Sequence, residues 1–418
     1  MKQRIGAKKL IAITSLGGAL EFFDFTIFAL FSVYIAEAFF PGDTHATKLI
    51  NTFAVFAVGY FARPLGGLLI GHLGDKRGRK LSLLSSVNLL AIATLLTALL
   101  PGYQTLGWLA PVLLLVFRLL QGMAIGGEIP GAITFLVEYF HHKNPIPAIA
   151  MMLAGVTFGN VIASLIGYCL TAHLSHTQLV SYGWRIPFII GSALGFIGYL
   201  IRRHLHETDI FVRIQALQAL HRYPFISLLK THKRQTLAAA CLTALTTATI
   251  FLFLYIPTYS LTVLHREIHH AYWLSSICFV LIAIFTLIFG FLNKLYTPKR
   301  LITSACMGSF ILAIIGPEFL HLHDGLAIFC ALLAIVVSAA NSCYTYWISQ
   351  LFPTAMRNTG IAVAYNVGVA FFGALSPLFF TASHQYFHTN KTPFIFLALC
   401  ALITLTALFL SKQRDRSA

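Results

Sequence analysis

Long apolar runs follow one another along almost the whole chain, each broken by a short polar stretch, and this pattern leaves few folds open. The runs cover residues 9–37, 47–70, 81–100, 108–139, 148–172, 184–202, 236–262, 270–293, 299–317, 324–351, 358–383 and 391–411. About 20 apolar residues in a helix cross the hydrocarbon core of a bilayer. A separate segment in lipid must satisfy its own backbone polar groups, and only a helix does so. Twelve transmembrane helices are therefore predicted, and the expected class is an all-α membrane protein. Composition agrees, since only 10% of residues are charged, against about 25% in soluble domains. Runs four and ten exceed a perpendicular crossing and are expected to tilt or project. No cleavable signal peptide is expected, because the run from Leu10 is far longer than a signal h-region.

The net charge of +16 would suit nucleic acid, but its placement argues for membrane topology instead. With the N-terminus inside, the inner side receives all but six of the 29 Lys and Arg residues. Lys48, Arg185, Arg266 and Lys391 fall outside, and Arg63 and Arg118 fall within runs. Positive charge favours the cytoplasmic side, so both termini are expected there. The longest inner segment, 203–235, alternates apolar and charged residues at helical spacing. It is expected to lay short surface helices on the headgroups. It divides the chain into a six-helix half, 1–202, and a second, 236–418. The seven Cys lie singly in apolar stretches, as small apolar fillers do. No metal-ligand spacing, nucleophile–base constellation or phosphate loop is present, so neither an enzyme nor a bound metal is expected.

One short knot interrupts the apolar pattern. "GHLGDKRGRK", Gly71–Lys80, joins runs two and three and fits G-x-x-x-D-[RK]-x-G-R-[RK]. Four further stretches stand in order: "GGALEFFDFTIF" (Gly17–Phe28), "FARPLGGLLIGHLGD" (Phe61–Asp75), "FRLLQGMAIGGEIPGA" (Phe117–Ala132) and "LFPTAMRNTGIAVAYNVG" (Leu351–Gly368). Together they resemble the major facilitator superfamily, in particular its metabolite:proton symporters of proline/betaine, α-ketoglutarate, citrate and shikimate. The resemblance covers nearly the whole chain. It implies two pseudo-symmetric six-helix halves with solute held near the midplane, where runs one, four, seven and ten line a cavity. It also implies alternating access by rocking of the halves, driven by the proton gradient without a cofactor. The implied setting is a monomer in a bacterial cytoplasmic membrane, importing a small polar organic solute. The alternative is a proton-driven exporter of a drug or metabolite. Run five, "AGVTFGNVIASLIG", lacks the Gly-Pro motif of drug antiporters, which favours symport. The second-half counterpart of the knot reads "GFLNKLYTPKR" (Gly290–Arg300) and has lost its acid.

Ionisable groups inside a bilayer are expensive, so each is a functional candidate. Glu21 and Asp24 stand i, i+3 on run one and share a face. Two carboxylates that close resist double ionisation, which suits proton coupling. Asp24 is the expected carrier, with Glu21 as its partner and structural pairing with a neighbouring helix as the alternative, and Glu128 is a second stop or a helix tie. Arg118 and Gln121, i, i+3 on run four, are candidates for solute binding. Arg118 stays charged and needs an anion, which could be Asp24, Glu21 or a solute carboxylate. Protonating Asp24 would free Arg118 for the solute. Arg63 is either a structural ion pair or a solute contact. The second half offers only polar and aromatic candidates, Tyr255, Tyr259, Asn341 and Tyr344, with helix packing as the alternative. So few cations mildly favour a monocarboxylate or a zwitterion. A cytoplasmic gate is expected from Gly71, Asp75, Gly78, Arg79, Glu138 and Arg357, with Asp75 accepting from Arg79 or a nearby helix end and Arg79 meeting Glu138. Pro130 is expected to kink run four.

Overall fold

The computed structural model describes residues 7–42, 44–77, 79–140, 142–203, 228, 231–265, 268–322 and 324–411. The surface helices expected within 203–235 fall on residues outside the described ones, and Lys233 and the residues after it belong to the seventh long helix.

Twelve long helices follow among the described residues. α1 is Ala7–Leu30, bent by 63° into Ser32–Phe39. Then come α2 (His45–Ile70, running on to Arg77), α3 (Arg79–Leu99), α4 (Leu109–Tyr139), α5 (Ile146–His173) and α6 (His176–Leu200). The second six are α7 (Lys233–Thr262), α8 (Ile268–Leu292), α9 (Pro298–Phe319), α10 (Gly325–Gln350), α11 (Arg357–Phe387) and α12 (Thr392–Leu410). Ten of these are long and apolar enough to cross a bilayer, and the bent α1 makes an eleventh. α3 is the marginal one, with a continuous apolar part of Leu84–Leu99. The chain is thus a multi-pass membrane protein.

The halves meet along two seams, α5 against α8 and α2 against α11. Adding six to each number turns the first seam into the second, as a pseudo-twofold axis requires. Within the first half, α1 lies along α5, α3 along α6, and α2 crosses α4.

Apolar helices in such a bundle can break only where something else satisfies the freed backbone. α1 breaks at Phe31, where the Tyr34 amide turns to the Phe31 carbonyl (3.0 Å). The carbonyl of Leu30 is left over, and the Tyr272 hydroxyl of α8 donates to it at 2.6 Å. α4 breaks at Gly126–Gly127, not at Pro130 as expected. Pro130 falls in the first turn of the second piece, where an amide has no helical acceptor to lose. Its missing N–H still leaves the Gly126 carbonyl without a donor, and Asn366 Nδ2 of α11 fills the place at 2.6 Å. Pro257 in α7 repeats the device: Ser275 on α8 donates to the Phe253 carbonyl at 2.9 Å. Two of these three repairs join one half to the other.

Candidate functional site

The crossing of α2 and α4 is built on glycines. A Cβ on Gly66 would collide with the Met123 backbone, one on Gly122 with the Gly59 carbonyl, and one on Gly126 with the Arg63 carbonyl. Gly122 and Gly126 form a G-x-x-x-G pair of the kind that lets membrane helices approach backbone to backbone. This contact brings Arg63 of α2 and Arg118 of α4 to the same side of α1.

Each arginine takes a different carboxylate of α1. Arg63 Nη1 donates to Glu21 Oε1 at 3.0 Å. Arg118 Nη1 donates to Gln121 Oε1 at 2.7 Å and reaches Asp24 Oδ2 at 3.5 Å. Gln121 Nε2 donates to Asp24 Oδ1 at 3.2 Å and to Thr94 Oγ1 at 3.0 Å, and the Thr94 hydroxyl donates to Asp24 Oδ1. All four charged groups are buried, none more than 2% exposed. Charges so deep persist only when paired and hydrogen-bonded. Glu21 and Asp24 share a face, as their spacing requires, but the arginines separate them into two ion pairs. Phe25 stands between the pairs, with both guanidinium carbons 4.4 Å from its ring centre. Tyr60 also lies under Arg63 at 4.0 Å, and Phe28 under Arg118 at 4.2 Å. Glu128, half-buried at the α4 break, is within electrostatic reach of Glu21.

The second half closes over this site with rings and hydroxyls. Phe251 of α7 packs on Phe56 (5.9 Å) and Tyr60 (5.2 Å), and Tyr255 packs on Phe53 (5.7 Å). Tyr365 of α11 lies within electrostatic reach of Glu21 and Arg63 and bonds with Tyr344. The other candidates here turn their polar groups into their own half. The Tyr255 hydroxyl pairs with that of Thr381 (3.0 Å), the Tyr259 hydroxyl donates to the Asn390 carbonyl (3.1 Å), and Asn341 Nδ2 donates to Thr286 Oγ1 (3.0 Å). Among the described residues the buried part of this half holds no charged side chain.

The sequence reading passed over Thr94, Tyr60, Tyr365 and Asn366. A lone Thr or Tyr in an apolar helix is unremarkable without its neighbours, so only the G-x-x-x-G at Gly122 and Gly126 could have signalled that α2 belongs beside α4.

At the basic end of the bundle the gate can be followed in part. Gly71 lies within the helical continuation of α2. Gly78 and the side chains of Asp75 and Arg79 lie outside the described residues. Glu138 meets Arg357 across the halves at 3.7 Å, a partner the sequence reading had not given it. Thr134 and Asn358 touch beside this pair at 3.4 Å, and Asn144 and Asn293 at 3.2 Å. At the opposite end Ser32 and Thr258 join the halves at 3.1 Å. Glu138 is half-exposed, so the pair contributes at most about 1 kcal/mol. Glu138→Gln is expected to leave the melting temperature nearly unchanged while speeding thiol labelling of a cysteine introduced at Thr134. Unaltered labelling would show that the pair does not hold this end shut.

Comparison with known proteins agrees with this architecture. Residues 14–377 match the Major Facilitator Superfamily. A citrate-proton symporter of Salmonella typhi is 32% identical over 424 residues, covering 97% of this chain and 94% of that one. A proline/betaine transporter of Salmonella typhimurium is 30% identical, covering 88% and 76%. Among solved structures, a partially occluded inward-open xylose transporter from E. coli superposes with a TM-score of 0.77 over 99% of both chains, at 16% identity. At that identity the likeness is one of fold. On sequence and architecture together, the chain belongs to the major facilitator superfamily.

Proposed function

We propose that the protein is a proton-coupled secondary transporter that imports a small polar organic solute by alternating access, with Asp24 as the proton carrier. The observation that carries this reading is the Asp24–Arg118–Gln121–Thr94 cluster, a carboxylate buried where α1, α3 and α4 of the first half meet. With Asp24 ionised, Arg118 and Gln121 of α4 and Thr94 of α3 are all drawn to α1. A proton on Asp24 cancels the charge that attracts Arg118 and turns one acceptor oxygen into a donor. The guanidinium keeps Gln121 Oε1 as a partner, so α1 is released from α4 without stranding the cation. Loading a proton therefore changes how firmly α1 is tied to α4, and α1 also meets the second half at Leu30 and Ser32. The positive-inside distribution supports a cytoplasmic membrane with both termini inside. The reading requires lipid, a solute and protons. It requires no cofactor, metal or nucleic acid, and one copy of the chain supplies both halves of the site.

Uptake into proteoliposomes under an imposed pH gradient tests it directly. Radiolabelled proline, betaine, α-ketoglutarate, citrate and shikimate would each be offered with acid outside. At least one is expected to accumulate and to leak back when a protonophore collapses the gradient. Entry at the same rate with and without the gradient would rule out proton symport.

A further inference from the structure

The two buried ion pairs both leave guanidinium nitrogens unpaired, Nε and Nη2 of Arg63 and of Arg118 alike, but they differ in their carboxylates and in what they face. In the Asp24 set both carboxylate oxygens are engaged, and every bonded and ring partner of Arg118 belongs to the first half: Asp24, Gln121, Phe25, Phe28 and Phe56. The Glu21–Arg63 pair is joined by one bond only. Glu21 Oε2 and Arg63 Nε and Nη2 are buried with no hydrogen-bond partner. An unpaired buried polar atom is costly, more so on a charged group, so a pair that keeps both a free acceptor and free donors is built for a third party. Its position agrees. Tyr365 of the second half lies within electrostatic reach of both Glu21 and Arg63. The neighbouring Asn366 bonds the Gly126 carbonyl, and the Gly126 backbone itself abuts the Arg63 carbonyl.

We infer that the Glu21–Arg63 pair, roofed by Tyr60 and Tyr365, is the solute-recognition site, and that it takes a small zwitterion with a single carboxylate. This rests on the transporter reading above and supplies its substrate class. The solute carboxylate sits on the free Arg63 edge, which suits the fork of a guanidinium. The cationic nitrogen sits toward Glu21 Oε2, on the acid's unpaired side and within reach of Tyr365 of the second half, and rings attract a cation. Charge balance points the same way. Glu21, Asp24, Arg63 and Arg118 sum to zero, and among the described residues the second half buries no charge. A zwitterion leaves that balance intact. A tricarboxylate would bring three negative charges into a site whose four buried charges already cancel, and each uncompensated buried charge is strongly unfavourable.

Exchange and binding without a proton gradient separate this inference from proton coupling. Purified protein in liposomes preloaded with L-proline or glycine betaine would be assayed for counterflow of the labelled compound, and thermal shift would report binding. Citrate and α-ketoglutarate serve as polyanionic competitors. At least one zwitterion is expected to exchange and to stabilise the protein, with neither polyanion competing at tenfold higher concentration. Arg63→Gln should weaken the apparent affinity at least tenfold, and Glu21→Gln should lower affinity for the zwitterion. If Arg63→Gln does not fold, Glu21→Gln and the competition on the unaltered protein still decide. Failure of both zwitterions to bind, competition by citrate, or unchanged affinity in a folded Arg63→Gln or Glu21→Gln protein overturns the inference. Exchange that persists while gradient-driven accumulation fails would instead count against the symport reading alone.

Discussion

Replacing Asp24 with Asn is expected to abolish accumulation against a gradient, by a hundredfold or more, while solute exchange at equal concentrations continues. The substitution keeps the shape of the side chain and its bonds to Thr94 and Gln121, but it removes the charge and the capacity to bind and release a proton. Arg118 then faces a permanent neutral amide, as it would face a permanently protonated carboxyl. The carrier can still reorient, so counterflow persists, yet no proton is carried and the pH gradient no longer does work. Steady-state accumulation in proteoliposomes, compared with counterflow in the same preparation, makes the measurement. Accumulation equal to that of the unaltered protein would remove Asp24 from the coupling step and leave Glu21 or Glu128 to account for it.

Gly122→Val is expected to have a large structural effect on the first half. The new Cβ would occupy the place of the Gly59 carbonyl oxygen. Backbone cannot turn aside as a flexible side chain can, so α2 and α4 would have to separate. Overpacking typically costs about 1–3 kcal/mol, and here the displaced helices also carry Arg63 and Arg118, whose carboxylates would be left behind. Loss of one partner of a buried pair costs roughly 3–5 kcal/mol. The variant should therefore be recovered poorly from the membrane and melt well below the unaltered protein. Gly127→Val provides the control, since a Cβ there meets nothing within 4 Å. Equal melting of the two variants would show that the crossing tolerates separation.

The twelve helices could be read from the sequence because lipid reduces the question to length and hydrophobicity, and both are local properties. Membership of the family was legible for a related reason: its motifs are contiguous stretches whose order survives without knowledge of contacts. The charged residues of the site were also visible, because acids and arginines in apolar runs have no bland explanation. Their pairing was not. Spacing puts Glu21 beside Asp24, but the partners come from α2 and α4, more than 40 residues away in the chain, and nothing local states which helix lies next to which. Thr94 shows this most clearly, as an ordinary threonine that becomes a ligand of Asp24 only once α3 has packed against α1. The break in α4 was foreseen near Pro130 and fell at Gly126–Gly127, because a proline in the first turn of a helix is tolerated and a glycine pair is the weaker link.

The bond from Asn366 to the Gly126 carbonyl sets a condition on any opening of this join. Pro130 removes the α4 amide that would ordinarily serve that oxygen, and its donor here comes from the other half. Rocking the halves apart at this level strips the donor away, and a bare carbonyl in a dry crevice is unfavourable by about 1–3 kcal/mol. Parting therefore has to be accompanied by wetting: a water molecule must arrive as Asn366 leaves, and must be expelled when it returns. Hydration of the crevice and movement of the halves become a single event, with humidity at one atom acting as the lubricant of the hinge.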